Sequence, residues 1–129
     1  MDRARHRCEY CHLPVRGQVA TFPLDHIIPR HAGGLAVFEN LALSCPHCNA
    51  HKWTATEALD VESNVVVNLF HPRQDLWNEH FDWQWTTGEL LGKSDTGRAT
   101  ISSLQINAAD MVELRLLLNE LGLFPSLQA

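Results

Sequence analysis

Asp25 and His26 stand side by side in the sequence, and Asn40 and Asn49 follow them. Carboxylate and amide oxygens can hold a divalent cation, and an imidazole can take a proton from water near neutral pH. A cation and a base placed together can hydrolyse a phosphodiester bond. These residue types therefore predict metal-assisted hydrolysis, provided that the fold brings them together.

Four cysteines flank this set in two pairs, Cys8 with Cys11 and Cys45 with Cys48. Two residues separate the members of each pair, which lets two thiolates turn towards one ion, and two such pairs make a tetrahedral zinc site. We therefore predict a structural zinc ion. Two disulfides are the alternative, although no export signal precedes the first pair. A redox dithiol is another, although neither pair lies in the strand and helix alternation typical of one.

The elements that must position these side chains can be predicted from residue patterns. Alternation over 24–28 places Asp25 and His26 on opposite faces of a strand. Pro29 and a glycine pair then mark a turn. The expected elements are strands over 19–22, 24–28 and 41–43, followed by a helix from residue 46 or 49 through residue 59. The predicted local unit is a β-hairpin followed by a helix, with the zinc site joining its two ends.

The rest of the chain has no motif with an assignable chemistry, but its patterns predict further strands and helices. Strands are expected over 65–70 and along Phe81, Trp83 and Trp85, and helices over 96–104 and 108–121. Asp75 and Asn107 are expected to cap the helical segments that follow them. We predict an α+β fold in which residues 1–59 form the reactive unit and residues 60–129 form an extension packed on it, in a single compact domain.

Composition limits the class of protein. A chain of 129 residues with 45% hydrophobic and 19% charged residues fits one globular domain rather than a disordered segment. No apolar run approaches the ~18 residues of a membrane span. We therefore expect a cytoplasmic protein without a membrane partner.

Charge is distributed unevenly along the chain, whose formal net charge is -5. Residues 1–52 hold six Lys or Arg and four acids, whereas residues 53–129 hold four Lys or Arg and eleven acids. The acidity therefore lies away from the predicted site, and nucleic-acid binding is expected to be weak and salt-sensitive. The acidic half could serve as a surface for a protein partner.

The order of motifs resembles that of a known family. Cys-x-x-Cys, Asp-His-Ile-Ile-Pro, Gly-Gly, Glu-Asn-Leu and Cys-x-x-Cys-Asn-x-x-Lys follow one another between Cys8 and Lys52. This series is similar to the zinc-clamped HNH endonucleases, whose active unit is the ββα-metal fold. The resemblance implies a nuclease that cuts DNA with the help of a divalent cation.

The resemblance also implies a role for each motif residue. His26 would be the general base, Asp25 and Asn49 would hold the catalytic cation, and Asn40 would orient the loop and the base. Asn49 stands where many members have a histidine, so the chain is predicted to be a His-Asn-Asn variant. An amide oxygen is a harder ligand than an imidazole nitrogen, which favours Mg²⁺ or Mn²⁺.

Basic and aromatic residues near the motifs suggest how a nucleic acid could be held. Arg30 and Lys52 are predicted to contact the phosphates that flank the cleaved bond. His71, Arg73 and His80 form a second cluster that could contact phosphate. Four tryptophans, at positions 53, 77, 83 and 85, could stack on bases or pack in the core.

Two other functions are compatible with the same residues. The chain could be a zinc-stabilised nucleic-acid binding module without nuclease activity. It could also be a subunit of a larger restriction or repair complex that supplies the DNA affinity.

Overall fold

The computed structural model describes residues 5–16 and 21–124, and these ranges contain both helices and strands. The predicted α+β fold is confirmed. The strands are β1 (Leu24–His26), β2 (Leu41–Leu43), β3 (Glu57–Asp60), β4 (Val65–Asn68), β5 (Phe81–Gln84) and β6 (Glu89–Gly92). The α-helices are α1 (Pro46–Lys52), α2 (Trp77–His80), α3 (Asp95–Ser103) and α4 (Ala109–Glu120). Within the described ranges the strands pair consecutively into three antiparallel two-stranded sheets.

The first sheet and α1 form the predicted ββα unit. β1 and β2 pair antiparallel, with Asp25 opposite Ala42 and His26 opposite Leu41. Asp25 is buried whereas His26 is half-buried, which agrees with their predicted positions on opposite faces of the strand. Helix α1 follows directly, with Cys45 as its N-cap and proline in its first turn, where a missing N–H costs nothing.

The connection between β1 and β2 contains two 3-10 turns, Arg30–Ala32 and Phe38–Asn40. Gly33 lies between them with φ of 95°, a conformation that glycine adopts without strain. Gly34 approaches Ile28 so closely that a Cβ there would overlap the Ile28 carbonyl oxygen. This connection therefore folds back over the end of β1.

The predicted helix through residue 59 is wrong beyond Lys52. Trp53 adopts φ of 47° and ends α1, its N–H bonding to Asn49 O. Glu57–Asp60 then pairs with Val65–Asn68 as a β-hairpin. The three consecutive valines of β4 favour an extended partner, and this pairing overrides the local helical pattern.

Three smaller expectations also need correction. In the predicted strand over 19–22, residues 19 and 20 lie outside the described ranges, and Thr21 and Phe22 are not in a strand. Asp75 does not cap α2, because its Oδ2 accepts from the backbone of His71 at 2.9 Å. Asn107 does not cap α4, because its side chain bonds to both backbone groups of Leu90 at 2.9 Å.

The predicted later helices are confirmed within one residue at each end, as α3 and α4. Helix α3 packs on β3, β4 and β6. Arg98 in α3 donates to both carboxylate oxygens of Asp60, at 3.1 and 2.9 Å. These bonds hold the pKa of Asp60 well below its ordinary value, so the pair links α3 to the β3–β4 hairpin as a charged contact.

Helix α4 carries a fully buried guanidinium. Arg115 donates to Gly88 O at 2.9 Å, to Ile106 O at 2.8 Å and to Asn107 Oδ1 at 3.0 Å, and it lies over the Trp83 ring. Burial lowers its pKa. These bonds join α4 to the β5–β6 hairpin and to the loop before α4.

Contacts also cross from the ββα unit to the later residues. Trp77 stacks on His12 at 4.0 Å between ring centroids and donates from its indole to Tyr10 O at 2.9 Å. Arg73 forms an ion pair with Glu9. The predicted boundary after residue 59 falls inside β3, and the division into a nuclease unit and an extension stays a prediction.

Apolar length is limited in every described helix. None of the helices in residues 5–16 and 21–124 is long and apolar enough to cross a membrane.

Candidate active site and metal centre

The four cysteines converge on one point. Their sulfur atoms lie within 4.8 Å of one another, and all four side chains are 0% exposed. Cys11 and Cys45, from different pairs, have their Sγ atoms 3.8 Å apart. Four thiolates placed ~2.3 Å from a zinc ion at tetrahedral angles would stand about 3.8 Å from one another. The cluster therefore fits a structural zinc ion.

Backbone geometry prepares each pair to carry charge. Cys11 N donates to Cys8 Sγ at 3.5 Å, and Cys48 N donates to Cys45 Sγ at 3.4 Å. Burial opposes ionisation of Cys8, but hydrogen bonds from the other thiols lower its pKa, whereas bonding to Cys45 raises the pKa of Cys11. A divalent cation would let all four ionise.

The histidines beside the cysteines serve the later part of the chain. His12 stacks on Trp77, and burial lowers its pKa to about 3, so it stays neutral. His47 bonds through Nε2 to Gln105 O at 2.7 Å. Each cysteine pair is therefore attached to residues that follow the ββα unit.

Asp25 is nearly enclosed, with 5% of its surface exposed. Its Oδ2 accepts from Tyr10 Oη at 2.8 Å and faces Lys52 Nζ at 3.1 Å. Burial, followed by the Asp25 charge, raises the pKa of Tyr10, so the phenol remains a donor. Both contacts are made to Oδ2, and the carboxylate is oriented by groups on either side of β1.

Lys52 is buried, which contradicts its predicted contact with an external phosphate. It is 2% exposed, and besides Asp25 it donates to Ile27 O at 3.1 Å. Lys52 is the last residue of α1, and its ammonium meets the carboxylate of Asp25 on β1 inside the protein. Lys52 therefore neutralises Asp25 and anchors α1 to β1.

His26 sits at the solvent boundary of β1. Its Nε2 accepts from Arg30 Nε at 3.4 Å, an exposed and long contact that water can replace. Of the two basic residues predicted to contact phosphate, Arg30 is the exposed one, and it lies next to His26.

Asn40 holds the loop that follows His26. Its Oδ1 accepts from Ile28 N at 2.9 Å, and its Nδ2 donates to Ile28 O and Leu35 O, both at 3.0 Å. Its backbone carbonyl accepts from Ile27 N at 2.9 Å. These bonds fix the chain immediately after the Asp25–His26 pair, which makes Asn40 a positioning residue.

Asn49 lies on α1 three residues before Lys52, and residues at that spacing share a helix face. Lys52 reaches Asp25 from the last turn of α1. The described hydrogen bonds of Asn49 use its backbone, so its amide oxygen remains available. Amide and carboxylate oxygens are ligands that suit a hard divalent cation, and a cation held by Asn49 and Asp25 together stays a prediction. His51 instead bonds to His47 O at 2.8 Å on another face.

Sequence reasoning missed Tyr10 and the burial of Lys52. Tyr10 lies inside the first cysteine pair, so closure of the metal centre turns it towards β1. The burial of Lys52 could have been anticipated from its spacing from Asn49, because residues three apart share one helix face. Charged residues are usually exposed, so the sequence alone did not indicate a buried ion pair.

Replacing one zinc ligand tests the metal centre. Cys48→Ser is expected to reduce bound zinc from one ion per chain to less than half and to abolish the cooperative thermal transition. Structural zinc contributes ~10–16 kcal/mol of apparent binding free energy in small zinc domains. Metal analysis and a melting curve measure both effects. Ser102→Ala, at an exposed helical position, should retain one zinc, and a fully folded, zinc-free Cys48→Ser protein would contradict the structural role.

Removing the partner of Asp25 tests the buried ion pair. Lys52→Met should lower the free energy of unfolding by ~3–5 kcal/mol, because it leaves a carboxylate uncompensated in the interior. Adding Asp25→Asn should restore part of the loss. Urea unfolding measures both. A loss below ~1 kcal/mol, as at exposed pairs, would show that the pair is not enclosed in solution.

Comparison with known proteins agrees with the site. Residues 8–54 match the family model described as HNH endonuclease. No curated protein and no solved structure matches the chain significantly. The matched segment contains the four cysteines, Asp25, His26, Asn40 and Asn49, and it suggests a nuclease-like function with a nucleic acid as substrate. Residues 8–54, a little over a third of the chain, carry the HNH endonuclease domain that the sequence pattern predicts.

Proposed function

We propose that the protein is a metal-dependent endonuclease that hydrolyses phosphodiester bonds in DNA. The observation that carries this proposal is that Asp25 and His26 are neighbours on β1 within the HNH domain, with Asp25 paired to Lys52 of α1, the helix that also contains Asn49. In the proposed site His26 would supply the base, and Asp25 and Asn49 would supply the oxygen ligands.

His26 has the exposure and hydrogen bonding that a general base needs. It is half-buried, so its orientation is held while its ring reaches solvent. Its Nε2 faces outward as an acceptor and can take the proton of an attacking water once the long contact with Arg30 opens. The freed Arg30 guanidinium could then hold a phosphate oxygen.

Asp25 and Asn49 are the residues that would hold Mg²⁺ or Mn²⁺. A cation at this position supplies charge stabilisation at the phosphate and at the leaving oxygen. Lys52 neutralises Asp25 from the interior side, and Tyr10 fixes the carboxylate plane. The Asp25 carboxylate is thus paired and oriented on the strand that carries His26.

DNA affinity is expected to be modest, because the net charge of -5 opposes a polyanion and Lys52 is enclosed. Arg30 is exposed, and Trp53, directly after Lys52, is 78% exposed with φ of 47°. An exposed aromatic ring can stack on a base. The other three tryptophans pack against the core, which leaves Trp53 as the candidate for stacking.

One observation favours the second candidate, a zinc-stabilised binding module without nuclease activity. Asp25 is 5% exposed and already paired with Lys52 and Tyr10, contacts that a purely structural carboxylate would also make. In that function Asp25 joins α1 to β1, and nucleic acid is bound but not cut.

A plasmid nicking assay distinguishes the two functions. Supercoiled DNA incubated with zinc-loaded protein should be nicked in Mg²⁺ or Mn²⁺ and not without an added divalent cation. His26→Ala should lower the rate ~10²- to 10⁴-fold, because the water then has no base.

His51→Ala is the matched control, since His51 is an exposed histidine of α1 whose ring bonds to His47 O. It should nick at the wild-type rate. Equal rates for wild type and His26→Ala would rule out the proposed catalysis, and binding without nicking in any cation would support the binding module.

A further inference from the structure

A cavity of about 420 Å³ lies between the HNH domain and the residues that follow it. Ile27 and Lys52 line it from the domain, and Phe70, His71 and Gln74 line it from the opposite side. Its size is at the lower end of the ~300–1,000 Å³ of small-molecule pockets. The rim is open, because Gln74 is exposed, whereas Phe70 at the wall is buried.

This cavity is next to the proposed catalytic carboxylate. Lys52 lines the cavity and places its Nζ 3.1 Å from Asp25 Oδ2 and 3.1 Å from Ile27 O. A ligand in the cavity that contacts Lys52 would therefore be separated from Asp25 by the Lys52 side chain.

The polar groups of the cavity are a mixture of donors and acceptors. His71 Nδ1 accepts from Arg73 N at 3.1 Å, so its Nε2 carries the proton and donates. Asp75 is fixed by accepting from His71 N at 2.9 Å and supplies carboxylate oxygens. The described hydrogen bond of Gln74 uses its backbone, so its amide can both donate and accept. Base edges present the same mixture.

The charges favour an uncharged ring over a phosphate. Lys52 is already paired with Asp25, and Asp75 adds a negative charge to the wall. Burial lowers the pKa of His71, so it adds no compensating positive charge. The predicted phosphate contact of His71 and His80 is therefore not favoured, and Arg73 is paired with Glu9. The side chains of Ile27, Leu69 and Phe70 provide apolar walls for a planar ring.

We propose that this cavity receives one unpaired nucleobase of the DNA strand, next to the phosphate held at Asp25 and His26. This inference rests on the proposed nuclease function. A paired base would have to leave the duplex at a cost of a few kcal/mol. The cavity therefore directs the enzyme to unpaired positions, and the residues after the HNH domain complete the substrate site.

Binding without catalysis tests the cavity. Fluorescence anisotropy without added Mg²⁺ or Mn²⁺ compares a labelled duplex that carries one unpaired adenine with the same duplex carrying an abasic residue there. Zinc-loaded wild type should bind the first about tenfold more tightly, the range expected for stacking one base. Gln74→Trp, which places a large ring at the rim, should abolish the difference, and Gln74→Ala should reduce it severalfold.

Gln84→Trp is the matched control, because Gln84 is an exposed glutamine of β5 outside the cavity. It should retain the wild-type preference. Equal binding of both duplexes by wild type, no binding of either, or an undiminished preference in both Gln74 variants would overturn the proposal. Nicking without base preference would support the nuclease function and overturn the role of the cavity. Base preference without nicking would support base binding in the cavity and overturn the nuclease function.

Discussion

Closure of the four cysteines around one centre is the constraint on which the site depends. The first pair brings Tyr10 against β1, and the second pair starts α1 at Cys45. Lys52, at the end of α1, then meets Asp25 of β1. The cysteine cluster therefore joins the segments that carry Tyr10 and Lys52, the two partners of Asp25, and the contacts of its flanking histidines attach it to the later residues.

The buried pair of Asp25 and Lys52 is the second contact on which the site depends, and it has two effects. Burying a lone carboxylate costs several kcal/mol, and the buried ammonium of Lys52 offsets that cost by pairing with Asp25. The same pair ties helix to strand. A site that is stable before substrate arrives and has its carboxylate already oriented is expected to need little rearrangement.

Local patterns predicted much of this arrangement, because their physical basis is local. Cysteine spacing predicted the metal centre, and alternation along β1 predicted that Asp25 and His26 lie on opposite faces, of which one is buried and the other half-buried. Nonlocal effects account for the errors. Residues 57–60 form a strand because the valines of β4 need a partner, and Asn107 leaves the helix cap to satisfy the backbone of Leu90. Neither partner is visible from the segment itself.

We propose that Asp25 and Asn49 together hold one divalent cation beside His26. Paramagnetic broadening by Mn²⁺ in nuclear magnetic resonance spectra of the zinc-loaded protein tests this site most directly. Substoichiometric Mn²⁺ is expected to broaden the Asn49 side-chain amide and the His26 ring before other signals, and Asp25→Asn is expected to abolish the effect. Broadening confined to the acidic residues after the HNH domain, with the Asn49 amide unchanged, would contradict it.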